Sequence, residues 1–163
     1  MLAADDPSDA APAPALDAWS SLVAVYQGVL HDVVGALDRD AAMDSGIFSA
    51  LAYLERAVPP HRMRMSDLQR LLHPRYSQPG LSRLVQRMEA DGLVERQPDT
   101  EDGRAAVVVS TSTGRARYRR SNTVYAAAVR ERFGHHLSAE QCRLLTELLG
   151  EVLARRDAER HAD

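Results

Sequence analysis

From Leu16 onward, apolar residues recur three and four apart at Leu16, Trp19, Val23, Tyr26, Leu30, Val33 and Leu37. That period predicts one long amphipathic helix. Leu22, Val25 and Val29 add a second stripe, giving the helix more apolar surface than one partner need cover. A second helix is expected over residues 45–58, with Ile47, Leu51 and Leu54 inward and Pro59-Pro60 stopping it. Ser66 with Gln69 reads as a Ser-x-x-Gln capping box opening a short helix, whose stripe is Leu68, Leu71 and Leu72 and which ends near Pro74. After the bend His73-Pro74-Arg75-Tyr76, Ser77 can cap a longer helix. Pro79 is tolerated in its first turn, Leu81, Leu84, Val85 and Met88 form its inner face, and Gly92 ends it. Two strand-like runs, 93–97 and 105–109, flank the turn-forming segment 98–103. A fifth helix is expected over 114–133. Ser138 with Gln141 then caps a last one, with Cys142, Leu145, Leu148, Leu149, Val152 and Leu153 inside.

Helix, turn, helix and hairpin in this order read as a winged helix-turn-helix. At 100° per residue, Pro79, Arg83, Gln86 and Ala90 face away from the apolar stripe of the longer helix, flanked by Ser82 and Arg87. Such a face suits a major groove, because Arg donates bidentately to guanine and Gln pairs with adenine. The plain alternative is a solvated face. The hairpin favours the first reading, since Arg104 at the base of its loop can reach a minor groove. Charge distribution agrees. Net charge is −3, yet residues 58–88 hold six arginines against one acid, whereas residues 1–55 hold nine acids against one arginine. All 20 basic residues are arginine, so placement counts and identity does not. Arg115, Arg117, Arg119 and Arg120 open the fifth helix, where positive charge opposes the helix dipole; their expected partners are acids of the wing or nearby phosphate.

The run Leu84-Val85-Gln86-Arg87-Met88-Glu89-Ala90-Asp91-Gly92-Leu93-Val94-Glu95-Arg96, then Asp102-Gly103-Arg104 and Thr111-Ser112-Thr113-Gly114, resembles the MarR family of bacterial winged-helix transcriptional regulators. The resemblance implies a mainly α fold with a small β-hairpin wing, a winged helix-turn-helix over 44–110 flanked by dimerisation helices over 16–40 and 115–158. Residues 16–163 then form a single MarR-like domain behind a disordered tail, 1–15, rich in Ala, Asp and Pro. It implies a homodimer that binds double-stranded DNA at a near-palindromic operator and releases it when a small molecule enters. Ser77, Gln78, Gly80, Ser82, Arg83 and Arg87 match the DNA-facing stretch, Arg104 the wing arginine, and Asp102 the carboxylate that orients it. Gln78-Pro79-Gly80 departs from side chains more usual there. Base readout is therefore expected to lean on Arg83, with Gln78 and Ser82 weaker, and phosphate contacts to come from Arg75, Ser77 and Arg87.

Other chemistry is thin. The sequence has no Gly-rich phosphate loop, Gly-x-Ser-x-Gly elbow or His-Glu-x-x-His helix, so no enzyme is expected. His31, His61, His73, His135, His136 and Cys142 are poorly spaced for a metal, and none is assigned as a ligand. A metal-responsive regulator and a winged-helix protein-interaction module without DNA binding are the alternatives. The lone Cys142 excludes an intramolecular disulfide. With no signal peptide or long apolar run, a cytoplasmic protein without a membrane partner is expected. Trp19, Tyr26, Met43, Phe48 and Tyr53 are conceivable effector-lining residues, although core packing explains most of them equally well. No resident cofactor is implied.

Overall fold

The computed structural model describes residues 13–57, 59, 61–99 and 106–162, the last three by backbone alone. In chain order they form α1 (Ala13–Ala41), α2 (Ser45–Arg56), β1 (Arg62–Arg64), α3 (Met65–Leu72), α4 (Gln78–Ala90), β2 (Val94–Pro98), β3 (Ala106–Ser110), α5 (Ser112–Arg132), a 3-10 turn (Gly134–His136) and α6 (Ala139–Ala162). The chain divides into two compact units, one of residues 34–131 and one of the described residues before and after it.

The unit of residues 34–131 has a continuous core. Leu37 and Met43 join Ile47, Leu51 and Leu54 of α2, Leu68 and Leu72 of α3, Leu81, Leu84, Val85 and Met88 of α4, and Leu93, Val94 and Val108 around the sheet. These are the inward positions of the helical and strand periods, and a fully buried Leu or Val contributes about 1.5–3 kcal/mol. Leu71 is the exception to the predicted stripe; it is exposed, because α3 buries only Leu68 and Leu72.

The sheet is antiparallel, in the order β1-β3-β2, with Arg62 opposite Val109, Arg64 opposite Val107, and Val94 opposite Ser110. β1 has no counterpart in the sequence reading, since three residues show no period. It also displaces the expected cap of α3. Arg64 is the N-cap residue and makes no side-chain capping bond, because residues 62–64 are still paired in the sheet when the helix begins. The hairpin strands lie one residue later than expected, because Leu93 is used in the turn that ends α4: its amide donates to the Met88 carbonyl (2.8 Å) and the Gly92 amide to the Glu89 carbonyl (2.9 Å), with Gly92 at φ +66°. This paired closure is what a left-handed glycine after a helix permits.

The Thr-x-x-Gly run also has a structural cause. Thr111 Oγ1 accepts the Gly114 amide (3.0 Å), starting α5 at Ser112, and donates to the Gly92 carbonyl (2.7 Å). Gly114 is buried against the Leu93 carbonyl oxygen, which would stand 2.0 Å from an added Cβ. Two of the arginines at the start of α5 find backbone partners among the described residues: Arg115 donates to the Ser110 carbonyl (2.8 Å) and Arg117 to the Ala42 carbonyl (2.7 Å).

In the second unit the capping box of α6 is present in both directions, Ser138 N to Gln141 Oε1 at 2.8 Å and Gln141 N to Ser138 Oγ at 3.2 Å. Arg132 and Asp32 pair at 3.9 Å. Leu16, Trp19, Leu22, Val25 and Tyr26 of α1 and Leu144, Leu148, Val152 and Leu153 of α6 are exposed, and Cys142 is half-buried. Helix α1 starts at Ala13, so residues 13–15, expected in the tail, are helical; Pro14 fits because the first turn needs no amide donor there. Among the described residues α1 is also the one helix long and apolar enough, by length and composition, to cross a membrane, contrary to the expectation of no such run.

Candidate nucleic-acid interface

Helix α4 presents two chemically different faces. Leu81, Leu84, Val85 and Met88 are buried, while Gln78, Arg83, Gln86 and Arg87 are exposed and Ser82 is half-buried. Its orientation is fixed at both ends. Ser77 Oγ accepts the Gly80 amide at 3.3 Å, and Pro79 sits in the first turn where no amide is required. At the other end Glu89 takes Arg96 of β2 twice, from the backbone amide at 3.2 Å and from Nε at 2.6 Å. Gly80 is half-buried beside the capping hydroxyl, 3.3 Å from where its Cβ would stand.

The turn before α4 is held from two sides. Gln69 Nε2 donates to the Tyr76 carbonyl at 2.6 Å, so Gln69 serves this turn and not a capping box with Ser66. The Tyr76 hydroxyl is packed onto Gly46, where an added Cβ would lie 1.9 Å from it. Arg75 is exposed, lies over the Tyr76 ring at 5.9 Å, and donates from Nη2 to Ser45 Oγ at 2.5 Å. Arg87 Nη2 lies 3.7 Å from Asp44 Oδ2. Arg83 makes only a long bond, Nε to the Pro79 carbonyl at 3.4 Å within its own helix, and its guanidinium faces solvent.

Seven of the expected site residues, Arg75, Ser77, Gln78, Gly80, Ser82, Arg83 and Arg87, thus lie along α4 and the turn that precedes it. Asp102 and Arg104, with the Asp-Gly-Arg segment, lie outside the described residues. The root of the hairpin is described, and it holds a feature the sequence reading missed. Asp99, expected only as a turn residue, is buried, with Arg64 Nε at 2.5 Å and Arg62 Nη2 at 3.9 Å. The partners are 35 and 37 residues away in sequence, so no local pattern announced them.

The conceivable effector residues differ in exposure. Trp19 and Tyr26 are exposed, whereas Phe48 is buried, with Tyr118 at 5.5 Å and Tyr125 at 4.8 Å between ring centroids. Tyr53 is half-buried. Met43 lines a recess, about 340 Å³ in volume, with Ile47, Leu93, Arg117 and Arg120. Among the described residues no three of His, Cys, Asp and Glu come together as a metal-ligand set.

Against known proteins, residues 48–105 match the family model described as MarR family. That segment is similar to the winged-helix domain of MarR-family regulators. The MarR-family transcriptional regulator AbsC from Streptomyces coelicolor is similar over 91% of this chain and 98% of its own, at 25% identity and a TM-score of 0.76. Sco3205, a MarR-family transcriptional regulator from the same organism solved in complex with DNA, is 26% identical over 88% of this chain and 92% of its own, with a TM-score of 0.74. The transcriptional regulator BldR from Sulfolobus solfataricus shares the fold at 24% identity and a TM-score of 0.72, over 87% of this chain and 96% of its own. No curated protein matches the sequence. The MarR model spans the segment that contains α3, α4 and β2, so the family signal falls on the helix-turn-helix itself.

Proposed function

We propose that this protein is a sequence-specific transcriptional regulator that binds double-stranded DNA as a homodimer. In this reading it is a repressor of a near-palindromic operator, released by a small-molecule effector. The observation that carries the reading is the exposure of Gln78, Arg83, Gln86 and Arg87 on a helix whose opposite face is buried. Four side chains that donate to bases or phosphates share the solvent side of an element capped at one end and clamped at the other. The DNA complex of Sco3205, at 26% identity, supports the same use of this fold. Arg83 reads bases, with Gln78 and Ser82 assisting. Arg75, Ser77 and Arg87 hold phosphates, and Arg104, oriented by Asp102, enters the minor groove.

A second copy is the fitting cover for the apolar surface of α1 and α6. Leu16, Trp19, Leu148, Val152 and Leu153 are each more than half exposed, a load that a monomeric protein rarely carries. Ser20, Ser21, Gln27, His31 and Asp32 form a polar strip along the other side of α1, which suits a helix partnered by protein on one face. The recess beside Met43 has the volume of a small-ligand site. An operator-binding protein with one cysteine fits the cytoplasm, and nothing in this reading calls for catalysis.

The test is selection of bound duplexes from a random DNA pool at about 150 mM salt, which suppresses non-specific phosphate binding. An inverted repeat with half-sites roughly 10 bp apart, centre to centre, is expected. No enrichment would sink the reading. Arg87→Ala should weaken operator and random DNA alike and flatten the salt slope by about one unit, measured by titration across a salt series.

A further inference from the structure

Arg87 already has a partner when DNA is absent. Its Nη2 lies 3.7 Å from Asp44 Oδ2, with both side chains about half exposed. Asp44 does not depend on that contact for its position. Its other oxygen, Oδ1, accepts the amides of Gly46 at 2.8 Å and Ile47 at 3.0 Å, capping α2. The loop that delivers it is set independently. Ala42 is held at φ +45°, a left-handed conformation uncommon outside glycine, and its carbonyl accepts Arg117. A carboxylate fixed by the α2 cap therefore stands beside a flexible arginine on the exposed edge of α4.

We propose that Asp44 is an affinity-setting residue that withholds Arg87 from the DNA backbone. The inference rests on the DNA-binding reading above, in which Arg87 contacts phosphate. A half-exposed pair of this kind is weak, so phosphate can take Arg87, but only by displacing a charge already neutralised. Binding then gains less than an unpaired arginine would give, and the contact releases fewer counterions. The consequence is sequence-independent. Asp44 lowers affinity for every DNA by a similar factor and keeps non-specific binding weak, leaving discrimination to the residues that reach bases.

Asp44→Asn separates this role from capping, because Asn caps helices as well as Asp does but carries no charge. The parent protein, D44N, R87A and the double variant would be titrated with the selected operator and with random duplex across a salt series. D44N is expected to bind both DNAs roughly two- to fivefold tighter, with a salt slope steeper by up to about one unit and an unchanged melting temperature. In the R87A background the same change should gain less than about twofold, since the arginine it frees is gone. Asp44→Ser, a second uncharged cap, repeats the measurement should D44N fold poorly. Equal or weaker binding by a folded D44N, or the same gain without Arg87, overturns the role of Asp44 while leaving the DNA reading intact. A parent protein that binds no DNA overturns both.

Discussion

Gly114→Ala should lower the unfolding free energy by about 2–3 kcal/mol, more than most single-methyl additions, although alanine is the better helix former. The added carbon would lie 2.0 Å from the Leu93 carbonyl oxygen and 3.0 Å from its carbon. Both are backbone atoms, so no side chain can swing aside. The Leu93 carbonyl also accepts the Thr111 amide at 3.1 Å, and the Leu93 amide closes the end of α4. Relief would thus have to come from opening the joint between α4, β2 and α5. For a chain of this size the melting temperature should fall by roughly 5–10 °C, read by calorimetry at fixed protein concentration because oligomers melt in a concentration-dependent way. A melting temperature within about 1 °C of the parent would mean that the joint yields freely and that the glycine is not required there.

Arg83→Ala should leave stability unchanged and relax sequence preference. Its side chain faces solvent and its one hydrogen bond, 3.4 Å to Pro79 of its own helix, is too long to hold much. A bidentate arginine-to-guanine contact is worth about 1–3 kcal/mol of discrimination, so affinity for the selected operator should drop roughly 5- to 150-fold. Random DNA should lose only the small share owed to one positive charge. Competition titration of the two duplexes reads the difference. Equal losses on both would move Arg83 from base reading to phosphate binding.

These contrasts mark what was legible in the chain. The inner face of α4 was readable because four apolar residues repeat at helical spacing, and its outer face followed as the remainder. Ser77 and Gly92 were readable because caps act within three residues of where they stand. The Ser138 and Gln141 box was readable for the same reason. Ser66 with Gln69 carries an identical local signature and came out differently, since β1 pairing fixed the start of α3 two residues earlier and Tyr76 took the glutamine. The Asp99 arginine pair, the Asp44 contact with Arg87 and the Ser45 contact with Arg75 were illegible. Each joins residues 30 or more apart, and an exposed or turn-forming residue gives no hint of a distant partner. The arginines of α5 show the limit from the other side. Their unfavourable position was visible, but the partners of Arg115 and Arg117 are main-chain oxygens, which every sequence has everywhere.

The Glu89 clasp on Arg96 has a mechanical consequence. Glu89 lies on the last turn of α4 and Arg96 in the middle of β2, so the contact ties the helix directly to the hairpin root as one lever. A lever of fixed span works as a calliper. In the proposed DNA-binding role it would sense the distance and phase between two neighbouring grooves as well as the bases within one. Operators that keep every contacted base but change the intrinsic twist between those grooves should therefore be rejected on shape alone.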